Sequence, residues 1–456
     1  MHTIKVKRVG ASVFFTAVAL LLLGGNTACA ADGGTLPSVA GIPVDFILFG
    51  LTLLGVALFH HHTLPVALTG AASIAVYKLI FTGFKTGSGL AGFMAHLGHE
   101  WVILANLFAL LTGFALLSRH FEKSHVPVIL PRYLPDDWKG GFVLLVMVWV
   151  LSGILDNIAA ALIGGAMAHQ LFKGKVHIGY LAGIVACANA GGAGSVVGDT
   201  TTTMMWLAGV SPLAVLEAYL PAFVALLVVG YFAAKQQHAY SPIIKNAHEH
   251  THIDWPRVGI VVLILVVAIA TNVTVNLVSP AAAEHFPCIG VAVWLAILVS
   301  LPFRRPDWEL LPEAAKGTVF LLSLVLCASM MPVEKLPAAS WFTALGLGFV
   351  SAVFDNIPLT ALALKQGGYD WGFLAYAVGF GGSMFWFGSS AGVALSSQFP
   401  EIRSVTNWIR HGWFVVVAYV VSYFVLLSVI GWHPTPARGA ESAPAHVVPV
   451  APAVTH

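Results

Sequence analysis

Charge is what this chain has least of. Only 9% of its 456 residues are Asp, Glu, Lys or Arg, against 58% hydrophobic, and the formal net charge is +2. So small a balance excludes nucleic acid as a partner, and no basic run is longer than the one at the N-terminus. Cysteine is scarce as well. Cys29, Cys187, Cys288 and Cys327 have neither the spacing of a metal site nor the pairs of a disulfide framework. What remains is apolar: the mean hydropathy is +0.86, and runs long enough to span a bilayer recur along the chain. The composition is that of an all-α polytopic membrane protein.

The N-terminus has the three parts of a secretory signal. Lys5, Lys7 and Arg8 precede an apolar segment from Ala11 to Leu23, and Ala28-Cys29-Ala30 offers small residues for cleavage. Residues 1–30 are therefore expected to be a signal peptide; an uncleaved first span is the other reading, and both put the following residue outside. Spans are expected at Val44–Phe59, Leu64–Phe81 and Trp101–Leu117, with a glycine-rich outer loop from Thr82 to His99. Residues 31–235 would form a first membrane repeat and 257–433 a second. Between them, 236–256 reads as a cytoplasmic linker with His238, His248, His250 and His252, and the Pro/Ala-rich tail 434–456 as disordered.

The two halves share a phrase. Ser152-Gly-Ile-Leu-Asp156-Asn157-Ile returns as Ser351-Ala-Val-Phe-Asp355-Asn356-Ile, each time within an apolar segment (Gly141–Phe172, Ala338–Gln366). A single helix as long as the first would overshoot a hydrocarbon core of roughly 30 Å. Two arms meeting at the Asp-Asn pair and leaving on the side they entered fit better, because Asp and Asn accept turn conformations. Each copy is followed by a second over-long segment with a glycine-rich break. Gly191-Gly192 leads to Gly198-Asp199-Thr200-Thr201, and Gly381-Gly382 leads to Gly388-Ser389-Ser390, at the same spacing.

Lysine and arginine supply an independent check. With the residue after the signal outside, the inner loops carry Arg119, Lys123, Arg132, Lys139, Lys173, Lys175, Lys235, Lys245, Arg257, Arg304, Arg305, Lys316, Arg403 and Arg410. Outer loops, helix ends and the tail carry Lys78, Lys85, Lys335, Lys365 and Arg438. This obeys the positive-inside rule. It also makes the first hairpin open inward and the second outward, the relation expected of inverted-topology repeats, each with a re-entrant helical hairpin and a broken transmembrane helix.

The candidate site follows from the chemistry of these breaks. Asp156, Asp199 and Asp355 are acidic; Asn157, Asn356, Thr200, Thr201, Thr360, Ser389 and Ser390 offer oxygen; no Lys or Arg stands in either tip or either break. A carboxylate in hydrocarbon costs several kcal/mol unless a cavity, partner or ion compensates it. Oxygen donors with uncompensated carboxylates suit a hard cation and repel a dianion, and half-helix C-termini with unwound carbonyls would add negative partial charge. Asp156 and Asp355 are expected to bind a monovalent cation and protons in competition, with Asp199 as a third ligand or a proton carrier. His169 and Glu217 are secondary candidates, and Phe385, Trp386 and Phe387 are expected to pack. No base is positioned beside the threonines 200–203, so no enzyme nucleophile and no cofactor are expected.

At these motifs the sequence resembles the NhaD-type sodium/proton antiporters, within the ion-transporter superfamily that includes arsenite permeases and dicarboxylate carriers. The matching pieces are Leu155-Asp156-Asn157, the run from Gly198-Asp199 to Met204, Asp355-Asn356-Ile357-Pro358-Leu359, and Gly381-Gly382-Ser383 through Gly388 to Ala394. The resemblance implies exchange of sodium or lithium for protons across a bacterial inner membrane, a homodimer, and an elevator-like motion of a transport domain against a scaffold. The alternative is an anion carrier of the same superfamily for arsenite or a carboxylate, although dicarboxylate relatives carry Ser-Asn-Thr at the tips where this chain has Asp-Asn. A reading of another class, a membrane-bound metal sensor, would use the histidine-rich linker.

Overall fold

The computed structural model of the chain describes residues 37–59, 62–129, 134–195, 197–243, 252–278, 282 and 285–435. The proposed signal, His60, His61, His248, His250 and nearly all of the tail lie outside the described residues. Apart from a two-stranded antiparallel hairpin, β1 (Ser38–Val39) and β2 (Ile42–Pro43), with Val39 opposite Ile42, the named elements are helices. Among the described residues six helical stretches are long and apolar enough to cross a membrane, and several shorter apolar helices accompany them.

One order of elements occurs twice. In the first half α1 (Val44–Leu58), α2 (Thr63–Tyr77) and α3 (Gly89–Glu122) are followed by the one-turn α4 (Val126–Ile129). Then come α5 (Trp138–Ser152) and α6 (Asn157–Leu171), α7 (Ile178–Ala193) and α8 (Thr200–Leu207), the short α9 (Pro212–Leu216), and α10 (Tyr219–Tyr240). The second half has α11 (Trp255–Val278), α12 (Cys288–Ser300) and α13 (Leu311–Ser329). It continues with α14 (Trp341–Ser351) and α15 (Asn356–Gln366), α16 (Trp371–Gly381) and α17 (Ser390–Gln398), and α18 (Val405–Val429). Both Asp-Asn segments and both glycine segments are thus interrupted helices, broken where the sequence changes from apolar to polar.

Packing sorts the helices into two groups that each draw on both halves. Helices α1–α3 pack with α11–α13, while α5–α8 and α10 pack with α14 and α16–α18. The halves interlock at the breaks: α6 lies against α17, and α15 against α8. At one end of the first group, Asp307 accepts from Lys123 Nζ at 2.7 Å and Arg119 Nε at 3.1 Å, which holds its carboxyl below the usual range. Asp254 likewise receives Arg304 Nε at 2.9 Å.

Three expectations about boundaries need correction. The stretch from Thr82 to His99 is a loop only from Gly83 to Ser88, since a helical turn ends at Thr82 and α3 runs 34 residues from Gly89, about 51 Å at 1.5 Å per residue. Its glycines suggested a loop, but Gly92, His96 and Glu100 line one buried face at helical spacing, and packing outweighs a glycine penalty of about 1 kcal/mol each. Helix α10 continues to Tyr240, into the stretch read as linker, because the buried Gln237 bonds Lys175 O and Ser241 O at 3.0 Å each. The last span begins at Val405, before a kink at Gly412, rather than at Trp413.

Candidate functional site

The four polar residues that end the breaks are all helix N-caps. Asp156 caps α6, Asp199 caps α8, Asp355 caps α15 and Ser389 caps α17. Asp199 Oδ1 accepts from Thr201 N and Asp355 Oδ1 from Ile357 N, each at 3.1 Å, and Ser389 Oγ from Gly392 N at 3.3 Å. Asp156 makes no side-chain capping bond, although the amides of Asn157, Ile158 and Ala159 are turned toward it. The expectation of half-helix C-termini is therefore half the picture. Four N-terminal dipole ends also converge here, and these favour ionised carboxylates, so the carboxylates and hydroxyls rather than the dipoles must provide for any cation.

Glycine permits the close approach. A Cβ on Gly191 would strike the Trp149 carbonyl and one on Gly381 the Gly348 carbonyl, where α7 crosses α5 and α16 crosses α14. Both crossings carry a matching serine bond: Ser152 Oγ donates to Ala188 O at 2.5 Å, and Ser351 Oγ to Val378 O at 2.7 Å.

Asn189 ties the breaks together. Fully buried on α7, it accepts from Asn157 Nδ2 at 3.1 Å and donates to Ser383 Oγ at 2.9 Å and Ser389 Oγ at 3.0 Å. Asp199, 2% exposed, has Asn356 Nδ2 at 3.5 Å from Oδ2 and lies within reach of the charges of both Asp156 and Asp355. Ser390 Oγ donates to Asp355 Oδ2 at 3.0 Å. Thr201 is buried beside Asp199, and the buried Thr360 Oγ1 donates to Asn356 O at 3.0 Å within its own helix. The sequence reading passed over Asn189, Ser383, Ser152 and Ser351 as site members. Its available signals were an Asn within an otherwise apolar helix and the serines that open each copy of the repeated phrase.

A cavity of about 800 Å³ reaches this network. Its deep end is lined by Asp156, Thr200, Thr203 and Ser390, and its mouth by Arg119, Glu122, Gln170, Glu313 and Gln398. Arg119 is among the residues that the charge rule leads one to expect on the inner side. At the mouth it pairs with Glu122 at 2.5 Å and Asp307 at 3.1 Å. Asp355 does not line the cavity but is one hydrogen bond behind Ser390. Lys365, near the end of α15, pairs with the buried Glu100 of α3. Among the described residues no Lys or Arg pairs with Asp156, Asp199 or Asp355. Nor do three of His, Cys, Asp or Glu gather closely enough to hold a metal ion by themselves. A cation here would be shared between a carboxylate and hydroxyl, amide or carbonyl oxygens.

The secondary candidates lie elsewhere. His169, in the last turn of α6, has its ring tilted against Phe399 at 6.0 Å, and Glu217 ends α9 beside Gly372. Phe385 and Phe387 stack on each other at 5.5 Å and, with Trp386, pack in the core.

No family model matches the chain. Curated proteins do. It is 28% identical over 313 residues to the Na(+)/H(+) antiporter NhaD of Vibrio parahaemolyticus, covering 57% of this chain and 72% of that one. It is 28% identical over 301 residues to sodium/proton antiporter 1 of Arabidopsis thaliana, where the match covers 56% of this chain but spans only 49% of the plant protein. The NhaD of Alkalimonas amylolytica is 25% identical over 346 residues, 64% of this chain and 68% of that one. The likeness to NhaD-type antiporters, carried at first by a few motifs, extends over more than half of the chain.

Proposed function

We propose that a chain so similar to NhaD-type antiporters exchanges sodium for protons across a membrane, with lithium as a second substrate, and is a transporter rather than an enzyme. The observation that carries the reading is Asp156: a carboxylate at the deep end of a cavity, without a basic partner among the described residues and in charge contact with Asp199. Like charges in a medium of low dielectric call for a compensating charge. Either a proton or a monovalent cation can supply it, and competition between them for one site suffices for exchange if only loaded carriers cross.

Asp156, Asp199 and Asp355, with Asn157, Thr200, Thr201, Asn356, Ser389 and Ser390, would bind the cation or the protons. Thr360 would support them from its helix. The halves are read as inverted repeats with re-entrant hairpins at Asp156-Asn157 and Asp355-Asn356, supported by the doubled element order and the Lys/Arg asymmetry. The helices around the breaks would move as a transport domain against α1–α3 and α11–α13, elevator-like, in a homodimer in the inner membrane. On this reading the cavity, with Arg119 at its mouth, faces inward. A carrier of dianions would need basic residues at the tips, and none stands there.

The test uses everted vesicles containing the full chain. Adding sodium or lithium to a preformed proton gradient should dequench a pH-sensitive dye, and Asp156→Asn should abolish the response in protein that is still folded in the membrane. Silence toward both ions at every alkaline pH would sink the proposal.

A further inference from the structure

Helix α7, which carries Asn189 and the Gly191-Gly192 pair, is capped by an imidazole. His177 Nδ1 accepts from Gly179 N–H at 3.1 Å. Accepting there requires a lone pair on Nδ1, so the ring is neutral with its proton on Nε2. The His177 N–H donates to Gln237 Oε1 at 2.7 Å, which fixes the residue against α10. Two rings close on it: His411 of α18 with centroids 4.9 Å apart at 86°, and Tyr240 of α10 at 5.3 Å. His411 immediately precedes Gly412, the non-helical residue that kinks α18. A Cβ on Gly179 would press on the His411 carbonyl at 2.8 Å, so the first turn of α7 and the kink are in direct contact.

We propose that His177 is a proton-operated clamp on the head of α7, closed when the ring is neutral and released when Nδ1 takes a proton. Protonation removes the cap, sets a positive charge on the positive end of the helix dipole, and opposes any charge on His411. The first turn of α7 then loosens from the α18 kink, and the helix that positions Asn189 loses its anchor. Burial, and then His411, disfavours the charged ring and lowers its pKa. The other titratable groups on the elements around this end of α7 are Asp136, Asp137 and Lys139 at the head of α5, His169 on α6, Lys235 and His238 on α10, Glu401 and Arg403 on the turn before α18, and Arg410 beside His411; Lys173 and Lys175 lie in the same loop. None of these has a resolved effect on the ring. With the folded-state pKa depressed, the clamp's contribution is complete above the unfolded value of about 6.5 and fades as pH falls below it.

The clamp is tested by hydrogen exchange of the α7 head, residues 175–183, in the full chain in lipid nanodiscs at about pH 5.5 and about pH 8, corrected for intrinsic rates. Acid should cut protection by about tenfold in the parent. His177→Asn, which caps without titrating, should hold protection alike at both pH values, and His411→Gln should fall between. Equal acid loss in the parent and His177→Asn, or none in the parent, overturns the clamp.

Its consequence rests on the antiport reading. In sodium-driven proton flux, His177→Asn should extend activity to the acid side by about one pH unit, and coincident acid limbs would overturn the link to transport. A parent without flux at any pH removes the antiport reading alone, and the clamp is still decided by exchange.

Discussion

The two halves of this molecule share a shape and differ in charge. Their tips end alike in Asp-Asn, their glycines face the preceding arm alike, and Ser152 and Ser351 make equivalent bonds. Yet where the first break has Asp199 the second has Ser389, and Asp156 lines the cavity without a capping bond while Asp355 is held by Ile357 N and Ser390 Oγ. The repeated order of elements keeps the geometry at which the helices break. The groups that can gain or lose charge are distributed unequally over it. The first half is thus expected to carry the exchange and the second to position it.

The largest effect is expected at the tips. Asp156→Asn should reduce sodium-driven proton flux at least about 100-fold, since it removes the charge of the one among the three break aspartates that lines the cavity. Asp355→Asn should cost clearly less, about tenfold, because Asn caps a helix as well as Asp and can still accept from Ile357 N. Vesicle flux at matched expression measures both. Equal abolition would break the asymmetry between the tips.

The breaks come next. Asp199→Ser gives the first half the residue of the second and should lower flux about tenfold by removing the carboxylate that communicates with both tips. Ser389→Asp in that background should not restore it, since Ser389 accepts from Asn189 amide protons rather than facing the cavity. Restoration by the double variant would mean that the two breaks are interchangeable after all.

A third test concerns the ion pair between α3 and α15. Glu100, its side chain 5% exposed, loses its partner in Lys365→Met, and a buried charge left alone is destabilising. With Lys365 itself one-third exposed, about 2–4 kcal/mol is expected, read as a lower thermal midpoint in detergent or nanodiscs. Adding Glu100→Gln should recover more than half. An additive double variant would remove the pair from the account.

How much of this could be read from the chain depended on whether neighbours in sequence or in space decided it. The breaks at Asp156-Asn157, Gly198-Asp199, Asp355-Asn356 and Gly388-Ser389 were legible, because polar and glycine residues inside apolar runs cannot continue a lipid-exposed helix. That each would be an N-cap was not, since the tip composition suits either helix end. Gly89, Gly92 and Gly98 suggest a loop because the buried face of that helix, Gly92, His96 and Glu100, is completed by other helices. Asn189 reaches Ser383 and Ser389, and Glu100 reaches Lys365, across separations in the chain that no local pattern encodes.

The smallest effect is the most direct test of shared scaffold geometry. Ser152→Ala and Ser351→Ala each remove one interhelical hydroxyl bond from the crossing where a glycine admits a backbone carbonyl. In membranes such bonds contribute on average about 0.6 kcal/mol and at most about 1.7. If the halves are equivalent wherever charge is not involved, the two variants should lower stability by the same amount, about 0.5–1.5 kcal/mol, and leave flux within about twofold. The sharper outcome is the difference between them. A Ser152→Ala loss exceeding that of Ser351→Ala by more than about 1 kcal/mol would mean that the first crossing bears strain that the second lacks. The inequality of the halves would then begin in their packing, before any carboxylate is considered.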